Sequence, residues 1–302
     1  MKKHDKVIST LFIGVCSCFI YFTVQSKARI AVTKHLGPVL FTDTIKSPDP
    51  LLPDYTKAPL QEWEKKFSAF SFNTYVKDGH TLPYRFYKPE IKRGKKYPLV
   101  IFFHGAGERG LDNRVQFLRF APTVTFWEKY PCYVIAPLCP QVPKGAKNAE
   151  GVWVDTPFGA TASTMKNEPT WPMALAMEAI NKVIAENKVD PKRIYVTGLS
   201  MGGFATWEIL QREDGKFAAA IPICGGGDLT YAAKFTNLPL WIFHGDADKT
   251  VPVTRSRDMV AAITRAGGNP KYTEYPGVGH DAWGRTYSNP EVWDWLFAQV
   301  KK

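Results

Sequence analysis

Six histidines and one serine set among glycines are the residues of this chain whose types and spacing point to chemistry. The stretch "VTGLSMGGFATW", Val196 to Trp207, puts Ser200 after a β-branched run and before a helical pattern. A strand that turns this sharply into a helix leaves no room for side chains around its apex. Gly198, Gly202 and Gly203 remove them, and the hydroxyl is left exposed above the amino end of the helix. A serine hydroxyl is a weak nucleophile until a base takes its proton. Of the histidines, His4 and His35 fall in the N-terminal segments, and His80 falls in a hairpin turn, where a solvated role fits. His104 in "VIFFHG" and His244 in "WIFHG" each end a strand before a glycine and read as braces of those ends. His280, in "PGVGHDAW", follows the last strand in a glycine-rich loop that can carry an imidazole over Ser200, so it is the candidate base.

The base needs a carboxylate to fix its tautomer and to balance the imidazolium. "FHGDADKTVP" offers Asp246 and Asp248; Asp248 has the longer reach and is the candidate, while Asp246 reads as a turn-capping residue. Negative charge developing on a carbonyl oxygen needs two aimed donors. The Met201 backbone N–H, at the start of the helix, is one. The glycine-rich "HGAGERG", after the neighbouring strand, supplies the other through Ala106, with Gly107 second. This loop lacks the Gly-Lys-Ser/Thr ending of a phosphate cradle. No spacing resembles a zinc site, and neither metal nor organic cofactor is expected.

These residues require a scaffold that gathers loop ends on one edge. From Lys95 onward, short apolar strands ("PLVIFFHG", "CYVIAP", "RIYVTG", "FAAAIPIC", "PLWIFHG", "KYTEYP") alternate with helical stretches near Asn113–Phe120, Trp171–Asn187, Ser200–Gln211, Arg255–Ala266 and Glu291–Val300. Continuous apolar strands separated by helices imply an α/β fold: a mainly parallel central sheet with helices on both faces, and functional groups at the carboxyl ends of its strands. Ahead of it, "FSAFSFNTYV" and "LPYRFYKP" alternate around "KDGH", a hairpin signal. The catalytic domain is expected over residues 67–302, with a proline-rich tether over 29–66. Val154–Pro172 reads as a loop roofing the pocket, and Trp153, Trp171 and Trp283 as aromatics that either stack on substrate at its mouth or pack the fold.

Residues 1–28 form a separate object. "MKKHDK" precedes an uncharged run, Val7–Val24, about 27 Å long as a helix. This reads as a signal peptide cleaved after Ser26 or Ala28, or an uncleaved membrane anchor, or a leader lipidated at Cys18; each places the remainder outside the cytoplasm. Without those residues the net charge drops from +11 to +8, and no dense basic run with interleaved aromatics points to nucleic acid. Three of the five cysteines lie in the body. Cys132 and Cys139 bracket a strand of about 23 Å, far beyond the ~7 Å reach of a disulfide, so free thiols are expected.

The runs "YPLVIFFHGAGERGLDN", "PCYVIAPLCPQ", "RIYVTGLSMGGFATWE", "AAAIPICGGGD", "FHGDADKTVPV" and "YTEYPGVGHDAW" resemble the α/β-hydrolase superfamily across about residues 70–298. They are most similar to bacterial single-domain esterases also labelled predicted peptidases, near dienelactone hydrolase and prolyl-oligopeptidase catalytic domains. The resemblance implies the α/β-hydrolase fold and a triad of Ser200, Asp248 and His280. Its "HG" oxyanion loop is similar to that of acyl-protein and feruloyl-type esterases, which supports Ala106. The family strand order implies that Cys139 and Cys224 end strands about 14 Å apart, too far to bridge directly. The expected activity is a serine carboxylesterase acting on small or polymer-linked esters, such as acyl or feruloyl esters of polysaccharides or polyester oligomers. The competing readings are a serine peptidase acting on short peptides, and a non-enzymatic binder lacking a triad member.

Overall fold

The computed structural model describes residues 61–120, 126–141 and 151–302, all within the second of two compact units, 45–302. The leader and most of the tether lie outside the described residues. No helix among the described residues is long and apolar enough to cross a membrane.

Eight strands form one sheet: β1 (Ser71–Lys77), β2 (His80–Tyr87), β3 (Tyr97–Phe103), β4 (Tyr133–Pro137), β5 (Val189–Leu199), β6 (Ala219–Ile223), β7 (Trp241–Gly245) and β8 (Lys271–Tyr275). Their spatial order is β1-β2-β4-β3-β5-β6-β7-β8. The β1–β2 hairpin turns at Asp78–Gly79, both left-handed, and β2 runs antiparallel to β4; every other pairing is parallel. Parallel strands need crossover connections, and α1 (Phe126–Lys129), α2 (Trp171–Glu186), α3 (Met201–Arg212) and α4 (Thr254–Arg265) lie in them, while α5 (Ala282–Ser288) and α6 (Pro290–Ala298) follow β8.

The continuous apolar strands have their explanation here. On β3, Leu99, Ile101 and Phe103 pack into one core layer with Met173, Ala176 and Ile180 of α2 and Trp207 of α3. Val100 and Phe102, between them, pack into the opposite layer with Tyr287 of α5 and Trp293 of α6. Both faces of the strand are buried, so no polar residue can alternate along it. In α2 the stripe Met173, Ala176, Ile180, Val183 meets the sheet, and the helix starts at Thr170, whose Oγ1 accepts the Met173 amide at 3.4 Å.

Three expectations change. Asn113–Phe120 is not a helix: only the 3₁₀ turn Val115–Phe117 forms. Asn113 sits at φ 54°, and its buried Nδ2 donates to the carbonyls of Asn73 (3.0 Å) and Tyr84 (3.1 Å), which ties the segment to the hairpin. The segment carrying His280 continues into α5, which a glycine-rich sequence conceals. The folded body also begins before Phe67. Glu62–Phe67 form a 3₁₀ turn in which Phe67 stacks on Phe117 at 4.2 Å and buried Glu64 pairs with Arg114 at 2.5 Å. Cys132, Cys139 and Cys224 are buried free thiols.

Replacing Asn113 by Ala removes the donor to the Asn73 and Tyr84 carbonyls and the acceptor of the Gln116 amide (now 2.7 Å from Asn113 Oδ1), and puts at φ 54° a residue that tolerates the left-handed region less well than asparagine. The expected cost is about 2–4 kcal/mol by urea unfolding, of which Asn113→Gly recovers about 1 kcal/mol by relieving the backbone alone.

Candidate active site

Ser200 lies between the end of β5 and the start of α3 at φ 55°, ψ −120°, outside the comfortable range of a side-chain-bearing residue. Its amide donates to the Ile223 carbonyl of β6 (2.9 Å), and its own carbonyl accepts from Gly203 (2.8 Å) and Phe204 (3.1 Å). The conformation is imposed by close backbone approach. A Cβ on Gly198 would come within 2.2 Å of the Gly202 carbonyl oxygen, one on Gly202 within 2.0 Å of the Phe103 oxygen, and one on Gly203 within 2.3 Å of the Ile223 oxygen. α3 therefore rests directly on the backbones of β3 and β6, and the apex residue faces outward.

His280, between β8 and α5, brings Nε2 to 2.8 Å from Ser200 Oγ and Nδ1 to 2.6 Å from Asp248 Oδ2. A carboxylate only accepts, so Nδ1 carries the proton, and Nε2 of the neutral ring accepts from the Ser200 hydroxyl. Asp248, just past β7, receives the amides of Thr250 (2.8 Å) and Val251 (2.9 Å) on its other oxygen. Burial alone would raise its pKa, but hydrogen bonds from His244, His280 and these two amides outweigh it and hold the carboxyl well below the usual carboxylate range. The neighbouring Asp246 instead accepts the Gly277 amide at 2.7 Å and pins the loop that delivers His280.

The structure thus brings Ser200, His280 and Asp248 into one relay and leaves the other described histidines outside it. His80 is exposed and stacks on Trp171 at 4.4 Å. His104 donates from Nδ1 to the Gly105 carbonyl (2.7 Å) and accepts the Cys139 amide on Nε2 (2.9 Å); burial drops its pKa to about 3, so the ring is neutral and braces the strand end. His244 has a role that its sequence position does not reveal. It is fully buried, with Nδ1 2.7 Å from Ser256 Oγ and Nε2 facing two acceptors, the Val251 carbonyl (3.1 Å) and Asp248 Oδ2 (3.2 Å). Asp248 is thereby gripped by two imidazoles. Cys224 also lies beside the relay at φ 49°; burial, reinforced by Asp248, pushes its thiol pKa up and keeps it protonated.

Ala106 opens a 3₁₀ turn, Ala106–Glu108, directly after β3, and Gly105 before it abuts Leu199 closely enough that a Cβ would meet Leu199 Cδ1 at 2.8 Å. Buried Glu108 accepts the Gly105 amide at 3.0 Å and closes this turn on itself. Met201 and Ala106 are each the first residue of a helical turn, where an amide has no helical carbonyl behind it. Gly107 is the exposed second residue of the Ala106 turn. Of the aromatics, Trp153 is fully buried against Phe103 and His104, whereas Trp283 stands edge-on to the His280 ring at 5.2 Å.

Gly202→Ala is expected to cost about 3 kcal/mol, because the clash is with backbone that no rotamer change relieves. Gly159→Ala, where a Cβ meets nothing within 4 Å, serves as the control and stays within about 0.5 kcal/mol in the same urea titration.

This architecture has counterparts among known proteins. A thermostable esterase of known structure superposes with a TM-score of 0.66 at 36% identity, over 77% of this chain and 63% of that one. A ferulic acid esterase superposes at 0.57 and 16% identity, over 76% and 97%, and shares the fold. Among sequences, a bifunctional acetylxylan esterase/xylanase of Neocallimastix patriciarum is 32% identical over 103 residues, 33% of this chain and 15% of that protein. Acyl-protein thioesterase 1 of Gibberella zeae is 24% identical over 213 residues, 61% of this chain and 83% of that protein. An uncharacterized secreted protein of Arthroderma benhamiae is 22% identical over 86% of this chain, which spans 30% of its length. The phospholipase/carboxylesterase family profile matches residues 89–289, from the end of the hairpin to the end of α5. With the sheet order and the spatial neighbours in agreement, the chain belongs to the phospholipase/carboxylesterase family of the α/β-hydrolase superfamily.

Proposed function

We propose that this chain is an exported serine carboxylesterase whose catalytic residues are Ser200, His280 and Asp248. The observation that carries the reading is the unbroken relay, 2.8 Å from Ser200 Oγ to His280 Nε2 and 2.6 Å from His280 Nδ1 to Asp248. Ser200 Oγ attacks the ester carbonyl as His280 takes its proton, and Asp248 stabilises the imidazolium. The Met201 and Ala106 amides receive the oxyanion. The tetrahedral adduct collapses as His280 protonates the leaving alcohol. Water, deprotonated by the same imidazole, then releases the acid and restores Ser200.

Export rests on the lysine-flanked apolar leader, which also supplies the route for any membrane attachment. It directs attention to esters met outside the cytoplasm, such as acyl or feruloyl groups on polysaccharides or polyester oligomers. The acetylxylan esterase named above supports the polysaccharide class. Ester rather than peptide cleavage is favoured by the family match and by the thermostable esterase at 36% identity.

The test compares hydrolysis of 4-nitrophenyl acetate with that of a peptidyl 4-nitroanilide. The ester is expected to be cleaved at least 10³-fold faster, and Ser200→Ala to lose about 10³-fold or more of that rate while its melting temperature stays within a few degrees. Anilide cleavage matching the ester would replace this reading by a peptidase. Full activity in Ser200→Ala would remove the proposed nucleophile.

A further inference from the structure

A shallow, solvent-open cleft begins one helical turn from Ser200, bounded on the elbow side by Phe204 and on the sheet side by Gly226. It does not include Ser200 itself. Phe204 donates its amide to the Ser200 carbonyl, so the two residues are separated by roughly 6 Å of helix rise. The outer wall is the strap that the sequence reads as a roof, here Thr156, Ser163–Lys166 and Glu168.

Behind this wall lies Arg255, the second residue of α4, only 3% exposed. Its Nη2 donates to Ser163 Oγ at 2.6 Å, its guanidinium lies 5.5 Å from the Phe204 ring centre, and its Nε passes where a Cβ on Gly226 would sit, at 2.7 Å. The Nε–H is buried and has no hydrogen-bond partner among the described residues; the acid that acts on the group is exposed Asp258, one turn further along α4, through space and without a hydrogen bond. The other buried guanidinium is satisfied: Arg85 donates to three backbone carbonyls. A desolvated cation with an idle donor costs several kcal/mol unless something answers it. The acids of the cleft do not. Asp155 is engaged by Lys166, Glu208 by Arg212 at 2.9 Å, and Asp228 by the amides of Met165 and Thr230, both at 2.9 Å; Glu168 is exposed on the strap.

We propose that Arg255 makes this cleft a site for a free carboxylate, so that the preferred ester carries a second, ionised carboxyl group a short chain away from the scissile bond. The proposal rests on the esterase reading above for the position of the ester, but not for the anion site itself. A guanidinium presents Nε–H and Nη2–H as a fork matched to the two oxygens of a carboxylate. Here one prong is idle and the other is held by a serine hydroxyl on an irregular strap, which a carboxylate oxygen replaces without loss of a hydrogen bond. The surrounding acids disfavour a dianion such as phosphate and leave room for one negative charge.

The experiment uses the full chain and matched pairs of monomethyl and dimethyl esters of succinic, adipic and terephthalic acids, followed by methanol release. For at least one pair, KM for the monoester acid is expected to be about tenfold below that of its neutral diester, the scale of a charge-assisted hydrogen bond. Arg255→Met should abolish the difference while leaving the diester within twofold, and Arg255→Lys should keep part of it. Equal handling of every pair by the wild-type chain, or a preference for the neutral member, overturns the proposal while leaving the esterase reading intact. Calorimetric titration with sodium hexanoate decides the point independently of turnover. Binding weakened about tenfold or more in Arg255→Met supports the site, and absent binding, or binding unchanged in that variant, overturns it.

Discussion

Three carbonyl oxygens, of Phe103, Gly202 and Ile223, stand 2.0–2.3 Å from where side chains would begin on Gly202, Gly198 and Gly203. Ordinary packing never brings a β-carbon that close, so α3 can rest on β3 and β6 only if these positions have none. That contact forces the chain through its apex at Ser200 in a left-handed conformation, which costs on the order of 1–3 kcal/mol. The surrounding bonds hold it there: the Ser200 amide to Ile223, and the Gly203 and Phe204 amides to the Ser200 carbonyl. Because the strain is fixed by backbone on both sides, the hydroxyl has one place to be, and the remaining groups need only be brought to it.

They arrive from the ends of β7 and β8 by different means. Asp248 is fastened by two amides and two imidazoles, so its oxygens have little freedom to turn away from His280. His280 comes on a loop pinned through Asp246 to Gly277 and ends against the edge of Trp283. A buried polar network of this kind is rigid when every member is satisfied. His244 connects it further to Ser256 of α4 and, through that hydroxyl, to the Gly225 carbonyl at 3.2 Å. The segment after β6, which also contributes Gly226 to the cleft beside Phe204, is therefore tied to the carboxylate that accepts from His280. Arg255 immediately precedes Ser256, so one turn of α4 reaches His244 through the Ser256 hydroxyl and the strap through the Arg255–Ser163 hydrogen bond.

How much of this the sequence discloses follows from what sets each feature. Strands β3 to β7 and helices α2, α3, α4 and α6 are legible because two buried faces, or one buried stripe, impose a composition that local reading detects. Ser200 is legible for the same kind of reason, since its glycines have no local alternative explanation. Asp248 separates from Asp246 by two residues of reach, and the coordinates give them the different partners that this offset implies. What is not legible depends on distant chain. Asn113 looks helical until its side chain is seen bonded to Asn73 and Tyr84. Glu64 looks like tether until Arg114 folds onto it, beside Phe67 stacked on Phe117. His244 reads as a brace, and it is one, but its being a brace to the carboxylate needed the turn through Asp248. Nothing in "VTRSRDM" signals that Arg255 is buried with an idle Nε–H; only the placement of the strap and Gly226 shows it.

The central claim is that Ser200 is activated by His280 under the hold of Asp248, and the most direct measurement is the rate of labelling by a fluorophosphonate, which reacts with an activated serine. The account predicts a single adduct, located by peptide mass on Ser200, forming about 10³-fold or more slowly in Asp248→Asn, where the imidazole is held in the wrong tautomer. An adduct on another residue, or labelling at an unchanged rate in Asp248→Asn, would contradict it.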